Sequence, residues 1–204
     1  MRRLLVLVAV LVMIVPGVAL AQTPTADEDE GAQTFILNRA GIERESTAFI
    51  NFEVAGFQID GPSLLQFVVS AFDDEDTAKK ALSVLHDEYL DETISRLPDD
   101  VRATANGAEA SAPNVGDEQF ATIMTIVNDP WTISYGVVYV RIGRFIVGAG
   151  AAGIMGNMIE ETTPYLELMI DRVDSVDSST DEGVAEALPE LADMPAGFII
   201  SSED

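Results

Sequence analysis

Cysteine is absent from all 204 residues. That excludes disulfides, thiolate metal sites, a cysteine nucleophile and a lipid anchor attached through cysteine, so stability has to come from a packed core. Lysine occurs only at Lys79 and Lys80, and histidine only at His86. With 11 basic against 35 acidic residues the formal charge is −24. Such a surface repels nucleic acid and anionic membranes. A catalytic triad needs a histidine between a nucleophile and an orienting acid. His86 lies within a helical pattern, and Ser83 and Asp87 are not usefully placed around it, so it reads as a structural or surface residue.

Long hydrophobic runs are absent except at the start. Arg2 and Arg3 precede the apolar run Leu4–Val15, Pro16-Gly17 breaks it, and Ala19-Leu20-Ala21 supplies a small-residue cleavage pattern. This reads as a secretory signal peptide over residues 1–21, with a secreted or cell-envelope location. Retention as an anchor is the alternative, but the run falls short of the ~20 residues that span a bilayer. No stable membrane insertion is expected after cleavage. Removing residues 1–21 takes away two arginines and no acid, leaving nine basic and 35 acidic residues, a formal charge of −26.

Residues 22–33, QTPTADEDEGAQ, read as an acidic flexible leader. Residues 34–173 read as a single domain, 174–188 as a polar linker, and 189–204 as a tail that either adds a short strand or begins another module. Within the domain, Leu64–Phe72 (LLQFVVSAF) has the branched and aromatic content of a strand. In the next stretch Ala78, Ala81, Leu82, Leu85, Tyr89 and Leu90 recur at helical spacing, Asp73 or Asp74 can cap the start, and Leu97-Pro98 ends it. Residues 101–112 suggest a weak strand. Phe120–Val127 and Ile133–Arg141 are strands, and Phe145 to about Gly150 closes a hairpin turned at residues 142–144. Met158–Val173 is a helix disturbed by Pro164. The order is α+β: an antiparallel sheet with helices packed on one face, a βαβββα core preceded by a hairpin from about Phe35 to Phe57.

Acidic clusters give little chemistry. Asp73-Asp74-Glu75-Asp76 fits helix capping, and Asp27–Gly31 lacks the bidentate glutamate of a calcium loop. Asp174, Asp177, Asp181 and Glu182 offer weak calcium ligands at most. No metal and no resident cofactor are expected. Trp131, after Asp129-Pro130 at a hairpin mouth, either lines a ligand groove or closes the core. Ile154, Met155 and Met158 belong to a glycine-flexed apolar loop over 153–159 that is either a contact patch or a plug for the sheet's end.

Gly148-Ala149-Gly150-Ala151-Ala152-Gly153 matches G-x-G-x-x-G literally. Locally it resembles the first turn of flavin-binding Rossmann proteins. That resemblance implies an FAD or NAD site on Gly148, Gly150 and Gly153, a helix over 151–161, and a strand over 166–171 whose Asp171 meets a ribose hydroxyl. Against it stand the preceding hairpin and the short chain remaining after Asp171. The bland reading is an outer strand ending in small residues.

Three stretches carry a second resemblance: "QFVVSAFDDEDTAKKAL", "NVGDEQF" and "VVYVRIGRFIVGAGAAG". Across about residues 62–173 they resemble small secreted sensor-like domains of βαβββα type from actinobacterial and Chloroflexi envelope proteins. The resemblance implies a non-enzymatic role binding an envelope protein or small ligand, and carries over no catalytic residue. Two alternatives stay open. One is an oxidoreductase using the glycine loop. The other is an acidic, salt-adapted structural protein, which would gain stability as salt screens its self-repulsion.

Overall fold

The computed structural model describes residues 48–56, 61–154, 156–177 and 180–203. The expected signal segment, the acidic leader and the first arm of the expected leading hairpin lie outside these residues. The chain forms an α+β fold around a seven-stranded sheet: β1 (Ala48–Ala55), β2 (Leu64–Ala71), β3 (Ala105–Ala110), β4 (Glu118–Asn128), β5 (Trp131–Ile142), β6 (Phe145–Gly153) and β7 (Ile199–Glu203). The helices are α1 (Glu75–Ser95), a single turn α2 (Asp99–Arg102), α3 (Met158–Val173) and a short α4 (Asp181–Ala185). Strand order is β3-β4-β5-β6-β2-β1-β7, and every neighbouring pair is antiparallel.

The β3–β6 meander follows from its turns. Gly143 holds φ +54° in the β5–β6 turn, a conformation that favours glycine. α1 starts where the Asp74 carboxylate accepts from Thr77 N at 2.7 Å, with Glu75 and Asp76 in the first turn against the helix dipole. α1 carries the chain from β2 to β3 at the far edge, so β6 returns to pair with β2.

Helices pack on both faces of the sheet, not on one as the element order suggests. α1 places Ala78, Ala81, Leu82, Leu85 and Tyr89 against Leu64, Val68, Met124, Val137 and Ile146. α3 places Met158, Ile159, Leu166, Met169 and Val173 against the alternate residues of the same strands, Leu65, Phe67, Val69, Val138 and Val147. All eight residues of β2 are buried. That requires cover on both sides, and it is why LLQFVVSA reads as an unbroken apolar run rather than an alternation.

Two further expectations are corrected. Residues 166–171 are helical, not a strand, because Leu166, Met169 and Val173 share one face at helical spacing and are buried against the sheet. The polar linker expected over 174–188 instead contains α4, and Val184, Ala187 and Leu188 are buried in the core. Arg172 fastens this segment by donating to the Leu188 carbonyl at 2.6 Å and to the Asp193 carboxylate at 3.1 Å. Beyond it Met194 and Phe198 are buried, and β7 pairs with the second half of β1.

Candidate functional site

The G-x-G-x-x-G stretch forms no nucleotide-binding turn. Gly148, Gly150 and Gly153 lie inside β6, antiparallel to both β5 and β2, so they form no strand-to-helix turn. Asp171 is exposed on α3. The glycines instead make room for neighbours. A Cβ on Gly148 would sit 2.6 Å from the Tyr139 ring, one on Gly150 2.9 Å from the Tyr135 hydroxyl, and one on Gly153 2.6 Å from the Gly61 carbonyl. Tyr139 lies directly across from Gly148 in the β5–β6 register. This pattern thus seats two large rings beneath α1.

Those rings belong to a buried polar chain. Tyr135 donates to Gln66 Oε1 at 3.2 Å, and its hydroxyl lies 3.0 Å from that of Tyr89. A phenol has one proton, so Tyr89 donates to Tyr135. Tyr139 packs edge-on to Tyr89 at 5.3 Å, Phe120 stacks on Tyr139 at 5.4 Å, and His86 follows on Phe120 at 4.9 Å. His86 is therefore the outer end of an aromatic row, and its Nε2 reaches Glu109 at 3.3 Å.

Burial, and then the adjacent Tyr135 phenol, push the Tyr89 hydroxyl well above its ordinary 10.0. A phenol held neutral in the folded state contributes stability that is complete below its unfolded value. That contribution is lost as pH climbs through the range above about 10. Denaturant melts between about pH 8 and 11 should show this decline, and Tyr89→Phe should reduce its slope. An unchanged slope in the variant would refute the assignment.

Arg141 is the buried charged residue among those described. It is next to last on β5, with its side chain 5% exposed, and reaches Glu75 at 3.0 Å, Asp117 at 3.3 Å, Glu118 at 3.6 Å and the Gly143 carbonyl at 2.9 Å. Its Nε is buried without a partner. The residue ties the start of α1, the start of β4 and the β5–β6 turn together. Sequence reasoning passed over it, although a lone arginine ending the apolar strand ISYGVVYVR was its signal.

The expected contact residues separate. Trp131 and Val127 flank the β4–β5 turn, 47% and 51% exposed. Ile154 is half-buried at the same end of the sheet, since Ser134 pairs with Gly153. Met158 is fully buried, correcting its place in an exposed patch. It fills the space between the first turn of α3 and Gly136, Gly153 and Gly156. Met155 lies outside the described residues.

A surface not anticipated from sequence lies beside them. α3 covers its face of the sheet as far as Gly136, where an added Cβ would meet Ile159 at 2.9 Å. Beyond that line the outer strands carry Asn106 and Ala108 on β3, Ile123, Thr125 and Val127 on β4, and Thr132 and Ser134 on β5. All are exposed or half-buried. Register makes them one patch: Ala108 lies opposite Ile123, Asn106 opposite Thr125, Thr125 opposite Ser134, and Val127 opposite Thr132. None is charged, in a chain with 35 acids. Among the described residues no group of three histidine, cysteine or acidic side chains is placed to hold a metal ion, and no helix is long and apolar enough to cross a membrane. Comparison with protein-family models gives no match, and comparison with curated proteins gives no significant one.

Proposed function

We propose that this protein is a secreted, non-enzymatic, sensor-like module that binds an envelope protein across the outer face of β3, β4 and β5. The observation that carries the reading is the uncharged patch from Asn106 to Ser134. Charged side chains cover a surface that works only by staying solvated, whereas a contiguous uncharged sheet face can lose its water at low cost. Trp131 at the rim adds a large amphipathic ring of the kind that anchors interfaces. The polar groups with unusual surroundings, Tyr89, Tyr135 and Arg141, are buried in structural roles, which supports a binding rather than a catalytic reading. Of the glycines that would cradle a dinucleotide, Gly148 and Gly150 make room for tyrosine rings and Gly153 for the Gly61 carbonyl, which weighs against an oxidoreductase.

A photo-crosslinking residue at Thr125, with a control at exposed Glu167 on α3, tests the reading in an envelope fraction. A discrete heteromeric adduct is expected at Thr125 only, and Val127→Asp should abolish it by placing an acid in the patch. Equal labelling at both positions, or an adduct indifferent to Val127→Asp, would overturn it.

A further inference from the structure

We propose that β3 is a self-complementary docking edge through which two copies of this chain pair, joining their sheets. β3 is an outer strand of the sheet, and among the described residues no strand pairs with its outer side. Natural edge strands are blunted by shortness, by charged side chains, lysine above all, by proline, by bulges or by cover. β3, ANGAEA, has no proline and no lysine, and its register with β4 runs without a shift.

The hydrogen-bond phase shows which backbone groups are open. Val127 N donates to the Thr104 carbonyl. In an antiparallel ladder the inward groups repeat every second residue. Asn106, Ala108 and Ala110 therefore face β4, and Ala105, Gly107 and Glu109 present N–H and C=O outward. A two-fold antiparallel pairing centred on Gly107 matches Ala105 with Glu109 of the second copy and Gly107 with Gly107 of the second copy. This makes about six backbone hydrogen bonds.

Charge selects the occupant. In that register Glu109 stands opposite alanine, and Asn106 stands opposite Ala108, so no acid meets an acid across the strands. Glu109, the strand's one acid, already lies 3.3 Å from His86, which leaves little to attract a basic peptide. The same pairing places both uncharged faces side by side on one continuous sheet. The remaining obstacle is long-range repulsion between two chains of −24, which salt screens within about 10 Å at 0.1 M and about 3 Å at 1 M. Association should therefore be weak at low salt and strengthen as salt rises.

This inference goes beyond the partner-binding reading. It needs the β3 backbone, not the side chains of β4, so Val127→Asp should abolish the heteromeric adduct and leave the dimer intact. Sedimentation velocity of the purified protein at low and high NaCl tests it, joined to amide hydrogen exchange. We expect a monomer at low salt and a dimer at high salt. The amides of Ala105, Gly107 and Glu109 should slow only in the dimer. Glu109→Pro removes an outward donor, and Ala108→Glu places an acid opposite Asn106 of the second copy at an exposed position that leaves the core untouched. Each should weaken dimerisation by about tenfold or more. A monomer at both salts, a dimer indifferent to both variants, or outward amides already slow in the monomer would overturn the proposal. The last outcome would mean that other residues of the same chain cover the edge.

Discussion

Replacing Gly148 by valine should destabilise the protein by about 3 kcal/mol, the upper end of the usual cost of overpacking a core. The Cβ alone would lie 2.6 Å from Cε1 and 2.7 Å from Cδ1 of Tyr139, closer than real contacts allow. Relief is hard to find. Tyr139 is 3% exposed, with Tyr89 edge-on and Phe120 stacked against it, and β6 is held by ladders on both sides. For a domain of this size the loss corresponds to a drop of roughly 6–12 °C in Tm, measurable by calorimetry. A second substitution identifies the cause. Gly148→Ala combined with Tyr139→Leu should cost less than the sum of the two single changes, because the shortened side chain vacates the space the new methyl enters. Strict additivity would mean that the ring is not what requires glycine there. FAD or NAD should leave Tm unchanged, and a clear shift with either would restore the dinucleotide reading of the motif.

Arg141→Ala should cost about 3 kcal/mol, the low end for removing one partner of a buried ion pair. Three losses combine: the bonds to Glu75, Asp117 and the Gly143 carbonyl, the packing of the aliphatic stem, and the cross-link between α1, β4 and the β5–β6 turn. The full penalty of a stranded buried charge does not apply, because Glu75 and Asp117 have side chains 65% and 50% exposed and rehydrate. Arg141→Met should be much milder, about 1 kcal/mol. It keeps the stem and removes a guanidinium whose Nε has no hydrogen-bond partner. Urea melts of the two variants decide between packing and charge. If methionine costs as much as alanine, the charge itself, rather than the filled volume, holds this end of the sheet.

The two residues show how far a sequence can be read. Arg141 was invisible as a clamp because its partners lie 23, 24 and 66 positions away in the chain. Only the meander and the α1 crossover bring Glu75, Asp117 and Glu118 to one corner. Gly148 was conspicuous but misleading. Spacing reports which residues recur along the chain, while the strand across from them decides what the missing side chains make room for. The uncharged outer face was illegible for the same reason. Asn106, Thr125 and Ser134 come from three strands, and each is unremarkable where it stands.

Sequence by itself determined the local elements: the amphipathic face of α1 and its Asp74 cap, the hairpin at Gly143, the apolar face of α3, and the acidic, cysteine-free chemistry of the chain. These depend on neighbours within a few positions, where periodicity and turn conformation act directly. Tertiary structure alone decided that α1 and α3 lie on opposite faces, that the polar stretch after Val173 continues into buried Val184 and Leu188, and that Met158 is core. Burial is a property of what arrives from elsewhere in the chain. An apolar residue states that it avoids water, but not which element will cover it, nor which edge and face of the sheet will be left open.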